Sequence, residues 1–316
     1  MAFFFHYMSE NWLLVVNPSS GKGKGKKIYE ALSSLLEKES ISFVDAFTTG
    51  PDSATDHARE FVNGGGRKII CVGGDGTLGE VVNGVVQNSE VPSNEVSIAL
   101  VPNGTGNDWA RTWNIPKGVE DCIKLIKAEK LQKVDLGRVG YDKEGIEKHR
   151  YFINMAGFGF DAAVAREALE IHFMGYRGTV TLYLLALAKT VFSYKKSDAV
   201  LTVDGREIPL KDVFSICIAN GRYHGGGYLQ APEADPADGL LHVTVISEIS
   251  KWGVFKNIKN LYDGSFVKDP SVSIEKGTSF TIQSELPIDV EIDGELLQYP
   301  FKSIEIVPNA ISFVVP

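Results

Sequence analysis

Apolar residues along the first 130 or so positions fall into short runs separated by stretches of helical period. Trp12 to Val16, Phe43 to Phe47, Lys68 to Val72 and Val96 to Val101 have the length and aliphatic content of buried strands. Between them, Ile28, Leu32, Leu35 and Leu36, then Ala54, Ala58 and Phe61, then Leu78, Val81, Val82, Val85 and Val86 recur at i, i+3, i+4 spacing. A last stripe, Val119, Cys122, Ile123 and Ile126, closes the series. Strands alternating with helices in this way predict an α/β domain with a parallel sheet.

From about residue 133 the period shortens. Lys133 to Val139, Tyr151 to Met155, Val213 to Ala219, Leu240 to Ile246, Ile288 to Ile292, Ser303 to Val307 and Ile311 to Val315 are short alternating runs punctuated by turns. That pattern predicts a β-sandwich or barrel. Helical inserts are expected around Asp161 to Ile171, Gly178 to Phe192 and Lys251 to Leu261. The expected organisation is therefore residues 1–132 as an α/β domain and 133–316 as a β-rich domain. There is no internal repeat or low-complexity segment.

The strand ends carry the chemistry. They read Asn17-Pro18-Ser19-Ser20-Gly21, Thr48-Thr49-Gly50, Gly73-Gly74-Asp75-Gly76-Thr77 and Asn103-Gly104-Thr105-Gly106-Asn107-Asp108. In a parallel sheet all four share one rim, and ligands of open α/β sheets sit outside the carboxyl ends of the strands. Three glycines within four residues before a helix let a phosphate approach bare backbone amides at the positive end of the helix dipole. Asp75 is the odd member, because a carboxylate repels phosphate unless a metal ion or water network lies between. A nucleotide with a divalent cation is the expected ligand. The lysines after Gly21 break the Walker A spacing, so Asn17 to Gly21 is not that loop. Taken alone, each of these segments is also an ordinary turn or helix cap.

Composition narrows the class. The chain has 316 residues, 44% apolar and 23% charged, with a formal charge of −8. That charge argues against a nucleic-acid binder. Lys22, Lys24, Lys26 and Lys27 form the one densely basic stretch, suited to phosphates, to anionic lipid or simply to solvent. Cys71, Cys122 and Cys217 are far apart in apolar contexts, suggesting neither a disulfide framework nor a zinc site, and a cytoplasmic setting fits. Met1 to Met8 is apolar but too short to span a bilayer and lacks the marks of a secretory signal. Val180 to Phe192 is also too short for a crossing and contains Lys189.

Four segments together, Asn17 to Gly21, Gly73 to Thr77, Pro102 to Asp108 and Gly221-Arg222-Tyr223-His224-Gly225-Gly226-Gly227, resemble the diacylglycerol kinase catalytic family, in its bacterial soluble lipid kinase branch. The resemblance spans nearly the whole chain in order. It implies an ATP-dependent lipid kinase with an N-terminal nucleotide domain and a β-rich C-terminal domain. By the same resemblance, Asn17, Pro18, Ser19, Ser20, Gly21, Thr48, the turn Gly74, Asp75, Gly76, Thr77, Leu78, Gly79 and Glu80, and Thr105 would contact ATP. Asp75 would join a water and Mg2+ network with Asp135. Glu295, in Asp293-Gly294-Glu295, would be the general base. A structural magnesium would sit at Asp235, Asp238 and Leu240, with Asp238 supplying the carboxylate and the other two backbone oxygens. Gly79 stands where the family usually carries asparagine, which removes a side-chain contact but leaves the backbone cradle.

From the residues alone, Asp293-Gly294 is a hairpin turn, Pro236 to Gly239 a turn before a strand, and His224 a bystander in its loop. A lipid acceptor requires transient peripheral contact with a membrane. Phe158, Phe160, Phe173, Met174 and Leu184 are candidates for the acyl contact as well as for ordinary core. An NAD kinase shares the glycine-aspartate turn, a sphingoid-base kinase shares nearly every motif, and a non-catalytic nucleotide sensor would use the same rim. Oligomeric state, a homodimer included, is left open.

Overall fold

The aliphatic runs of the first half become parallel strands β1 (Trp12–Val16), β2 (Phe43–Phe47), β3 (Lys68–Gly73) and β4 (Ser97–Pro102). The computed structural model describes residues 11–173, 189–285 and 289–316. It divides into two compact units, one of residues 1–136, 236–239 and 307–316, the other of 137–235 and 240–306. The single break expected at 132/133 has its counterpart at 136/137, and two short later stretches rejoin the first unit.

In the first unit β1 lies between β2 and β3, with Trp12 opposite Phe43 on one side and Lys68 on the other. β3 pairs in turn with β4. The chain's last strand, β15 (Phe301–Val314), brings Ser312 and Phe313 alongside Ser97 and Ile98, also parallel. The order is β2-β1-β3-β4-β15. Helices α1 (Gly25–Lys38), α2 (Ser53–Asn63), α3 (Asp75–Val86), α4 (Asp108–Thr112) and α5 (Val119–Ala128) complete the unit.

Leu32 and Leu36 of α1 and Cys122, Ile123 and Ile126 of α5 pack on the sheet face presented by Leu14, Val16, Ile70 and Val72. The alternate residues Leu13, Val15, Ile69 and Cys71 are equally buried, as are Ala58 and Phe61 of α2 and Val81 and Val85 of α3, two helices that pack on each other. The predicted stripes are thus the buried ones. Because the strand order reverses about β1, the loops leaving β1 and β3 border the switch point where such sheets receive ligands.

The second unit is antiparallel. Strands β5 (Leu131–Lys143) and β6 (Ile146–Phe152) form a hairpin from Gly137 onward. They precede β7 (Met155–Gly159), α6 (Phe160–Phe173) and β8 (Ser197–Val203). The long strand β9 (Arg206–Ala219) pairs with β8 through its first half, and with β7 and β10 (Leu241–Ser247) through its second. Helices α7 (Lys251–Asn257) and α8 (Asn260–Asp263) then lead to β11 (Val272–Gly277), β12 (Ser279–Ser284), β13 (Val290–Ile292) and β14 (Glu295–Leu296). One core, including Phe152, Phe158, Leu201, Ile216, Val243 and Phe280, is buried among these strands.

Three expectations are revised. Tyr151 to Met155 is broken at Ile153-Asn154, where three successive amides turn toward one carboxylate, that of Asp293, instead of alternating across a ladder. Ser303 to Val307 and Ile311 to Val315 belong to one long strand. The strands β8, β11, β12 and β14, most of β6 and the first half of β9 were not anticipated. The insert expected at Gly178 to Phe192 lies largely outside the described residues, as do Met174 and Leu184. No described helix is long and apolar enough to cross a membrane.

Candidate active site

At the rim of the first unit two glycine turns touch through their backbones. A Cβ on Gly74 would lie 2.7 Å from the Cα of Gly104, and one on Gly104 would lie 2.5 Å from the Cα of Gly74. Only paired glycines permit this approach. Gly74 is the extended N-cap of α3, no side chain caps that helix end, and its first backbone bond is Leu78 N–H to Gly74 O. The preceding amides are therefore free of intrahelical partners, as in phosphate-binding turns.

The loop after β1 is tied to this turn. Asn17 Nδ2 donates to Thr77 Oγ1 at 3.0 Å, while Asn17 Oδ1 accepts the N–H of Ser19 at 3.0 Å. Asn103 Nδ2 donates to Ser20 Oγ at 2.8 Å. Residues after β1, β3 and β4 are thereby cross-linked at one end of the sheet. Thr48, whose N–H donates to Val16 O at 2.9 Å, adds the end of β2. Pro18 and Gly21 are half-buried in the first loop, and Thr105 is exposed in the last.

Asp75 has a definite partner set. Its carboxylate accepts the N–H of Asp108 at 3.1 Å and of Trp109 at 3.0 Å, capping α4. The sequence reading placed this side chain in a cation network; the fold also makes it the clamp between two rim loops. Further along α3 the expected contacts diverge. Gly76 faces open space, Gly79 is half-buried, and Leu78 is fully buried, so that Leu78 can offer a nucleotide only backbone. Glu80 Oε2 accepts the N–H of Ala54 at 3.0 Å and its carbonyl accepts Thr55 Oγ1, which fastens α2 to α3.

Asp135, 1% exposed, is a staple within the first unit. One oxygen accepts Gly239 N–H at 2.8 Å and the other accepts Asn309 N–H at 2.7 Å, while its own N–H donates to Pro236 O at 2.7 Å. It thus holds the two late segments that rejoin this unit. Asp235 and Asp238 are exposed and Leu240 is half-buried. Among the described residues no cluster of three or more His, Cys, Asp or Glu side chains could hold a metal ion; a single carboxylate with two carbonyls would not form one.

In the second unit Glu295 follows a two-residue hairpin turn with Asp293 at φ 49° and Gly294 at φ 89°, the left-handed pair such turns require. Its exposed carboxylate pairs with Arg150. Asp293 is anchored by the N–H groups of Ile153, Asn154 and Met155 at 2.9–3.0 Å. Two residues earlier stands Glu291, which the sequence reading passed over. It is 1% exposed, accepts Gly294 N–H at 2.6 Å, and occupies space that a side chain at Gly157 would fill. His224 Nε2 lies 3.3 Å from Glu291 Oε1, within ion-pair range though outside hydrogen-bond geometry. Burial pushes the Glu291 carboxyl up to about 7, against the pull of His224.

His224 also lines an apolar cavity of about 280 Å³ whose other walls include Phe160, Phe214, Phe255, Leu261 and Phe266. Its polar residues are Asp161, Ser215, His224, Tyr228, Gln230 and Asn257. Ser215 Oγ donates to Asp161, whose carboxyl burial holds above the ordinary range. Of the apolar residues proposed for acyl contact, Phe160 lines this cavity and Phe158 belongs to the strand core. Alternation gives no signal for Glu291, since Val290 and Ile292 take the core face and leave Glu291 on the opposite one, where packing against Gly157 and His224 buries it.

A family model described as the diacylglycerol kinase catalytic domain matches residues 11–139, and one described as the YegS C-terminal NAD kinase beta sandwich-like domain matches residues 154–315. The chain belongs to the diacylglycerol kinase catalytic family, with the YegS-type C-terminal domain. It is a lipid kinase of the diacylglycerol kinase type, and its family uses ATP. A diacylglycerol kinase of Mycobacterium tuberculosis is 27% identical over 304 residues, 96% of this chain and 94% of that one. A solved diacylglycerol kinase structure from Bacillus anthracis superposes with a TM-score of 0.71 at 22% identity, covering 97% of each chain. Yeast NADH kinase, solved with NADH, shares the fold at a TM-score of 0.56 and 10% identity, covering 98% of this chain and 84% of that one.

Proposed function

We propose that this chain transfers the γ-phosphoryl group of ATP to the hydroxyl of diacylglycerol or a related membrane lipid, giving a phospholipid such as phosphatidic acid. The observation that carries the choice of acceptor is the second unit's cavity, apolar along most of its wall and bearing the Asp161, Ser215 and His224 side chains. A soluble ribose would gain nothing from such walls, whereas an acyl chain would, at about 0.8 kcal/mol per buried methylene.

ATP's phosphates are assigned to the uncapped turn Gly74 to Thr77 and the loops from Asn17, Thr48 and Thr105. The lipid oxygen attacks the γ-phosphorus, the bond to the ADP oxygen breaks, and Glu295 accepts the hydroxyl proton. Arg150 beside it keeps a charged partner for this carboxylate. Each Asp75 oxygen uses one lone pair on an amide and retains another, so Asp75 fits a water-mediated hold on Mg2+. Asp238 with carbonyls of Asp235 and Leu240 is the proposed structural magnesium site. A magnesium ion held through Asp75 and waters would supply neutralisation of phosphate charge, a role separate from that of the structural site. The enzyme would meet its acceptor by transient contact with a membrane surface.

A long-chain base is the second acceptor class, whose ammonium group would meet the Asp161 carboxyl in the cavity wall. The test is transfer of labelled phosphate from ATP to diacylglycerol, a sphingoid base and NAD in parallel. The proposal expects a lipid product that disappears in Glu295→Gln with the melting temperature retained. Labelling of NAD alone would overturn it.

A further inference from the structure

Among the described residues the three most exposed large apolar side chains are Trp252 at 83%, Phe192 at 62% and Tyr262 at 59%. Phe192 lies far from Trp252 in sequence, yet Phe255 joins the two, its ring centroid 6.3 Å from that of Trp252 and 5.8 Å from that of Phe192. Lys251 Nζ donates to Phe192 O at 2.6 Å and sits 5.7 Å from the Phe192 ring. Tyr262, on α8, has its ring 4.9 Å from that of Tyr228.

These segments are apolar on their inner side as well. Val191, Val254, Phe255, Ile258 and Leu261 line the cavity. A short helix with apolar residues on both sides is unusual for a face that meets only water. Charge points the same way. In a chain of net charge −8, residues 189–197 and 251–262 hold six lysines and no carboxylate. Glu167 and Asp212 pair with Lys189 and Lys196. Lys195, Lys251, Lys256 and Lys259 are exposed around the aromatic residues. The carboxylates that directly follow the two stretches are engaged, Asp198 with Lys211 and the Asp212 N–H, and Asp263 with the Ser265 N–H at 2.9 Å.

We infer that this face, built on Phe192 and Trp252 with the lysines of the same segments, docks the protein on an anionic lipid bilayer. Amphipathic aromatic rings settle at the headgroup level and lysines meet anionic headgroups, and the same elements wall the cavity assigned to the acyl chain. The inference deepens the lipid-kinase reading and rests on it for its purpose. Its measurement needs neither ATP nor acceptor.

The test uses the full chain with phosphatidylcholine vesicles, with and without phosphatidylglycerol, at low salt. Trp12 and Trp109 are buried and Trp113 is half-buried, so Trp252, at 83% exposed, is the tryptophan most open to a change of surroundings. Wild type is expected to float with the anionic vesicles and to shift its emission to the blue. The double variants Phe192→Ser/Trp252→Ser and Lys256→Glu/Lys259→Glu are each expected to lose binding about tenfold or more with unchanged melting temperature. Wild-type binding by both variants, or loss only on replacing Lys22, Lys24, Lys26 and Lys27 by Gln, would overturn the inference. Vesicle binding through this face without phosphorylation of any lipid would leave the surface standing and remove the acceptor assignment instead. Phosphorylation of a short-chain diacylglycerol in detergent together with failure to bind anionic vesicles would do the reverse.

Discussion

The carboxylate of Asp75 accepts the backbone N–H of Trp109 at 3.0 Å across a separation of 34 residues, so one side chain joins the turn after β3 to the helix after β4. Both loops belong to the rim assigned to ATP. Asp75→Asn keeps an acceptor for one amide, and Asp75→Ala for neither. Losses of about 1 kcal/mol and about 2–3 kcal/mol are expected, as for helix caps and charge-assisted hydrogen bonds. Phosphoryl transfer should vanish in both. Chemical denaturation beside the transfer assay checks this, and an Asp75→Ala protein as stable as wild type would remove the clamp.

Gly74 and Gly76 separate packing from phosphate access. Gly74→Ala drives a methyl group into Gly104, whereas a Cβ at Gly76 meets nothing within 4 Å. The first is expected to cost about 1–3 kcal/mol of stability through overpacking. The second should leave the melting temperature in place and weaken ATP binding by crowding the amides. Calorimetric titration with ATP and thermal melts of both variants decide the matter.

Asp135→Ala tests whether that buried carboxylate serves the fold. Removing it takes the acceptor from the N–H groups of half-buried Gly239 and exposed Asn309, at about 1 kcal/mol for each hydrogen bond lost. A lower melting temperature is expected even with no nucleotide or magnesium present. A variant of wild-type stability that has lost activity would instead support the cation role implied by the resemblance.

Glu291 carries a pH signature. Its carboxyl titrates near 7 in the folded chain against an ordinary value of 4.5, because burial disfavours the charged form. Between those values the folded state holds a proton that the unfolded state has released, so stability falls as pH rises through this window and levels off above it. Glu291→Gln removes the ionisation while leaving an acceptor for Gly294 N–H. Its melting temperature relative to wild type should therefore climb from pH 5 to 8. A difference that is flat with pH would refute the assignment.

The residues of the first half announced their architecture because parallel strands buried on both faces must be continuously apolar and their helices must carry one apolar stripe. Trp12–Val16 is such a strand with the bounds its pattern suggests, whereas Phe43–Phe47 keeps its bounds but ends the sheet with none of its residues fully buried. The turn from β3 into α3 was equally legible, since closely spaced glycines between an apolar strand and a helical stripe mark such a junction. Local pattern could not disclose partners distant along the chain. That Asp75 caps α4, that Asp135 gathers residues 236–239 and 309, and that Ser312 pairs beside Ser97 are decided by non-local backbone bonds that leave no periodic trace.

Glu291 shows the same division. A glutamate in an alternating strand looks solvated until Gly157 and His224, 134 and 67 residues away in the chain, are brought against it and water is excluded. Composition and spacing determined the elements, the rim and the family; tertiary packing alone decided which carboxylates are clamps, which are buried and which meet solvent. The physical reason is that a side chain's ionisation and partners depend on the dielectric and donors around it, and those are assembled only when the chain closes on itself.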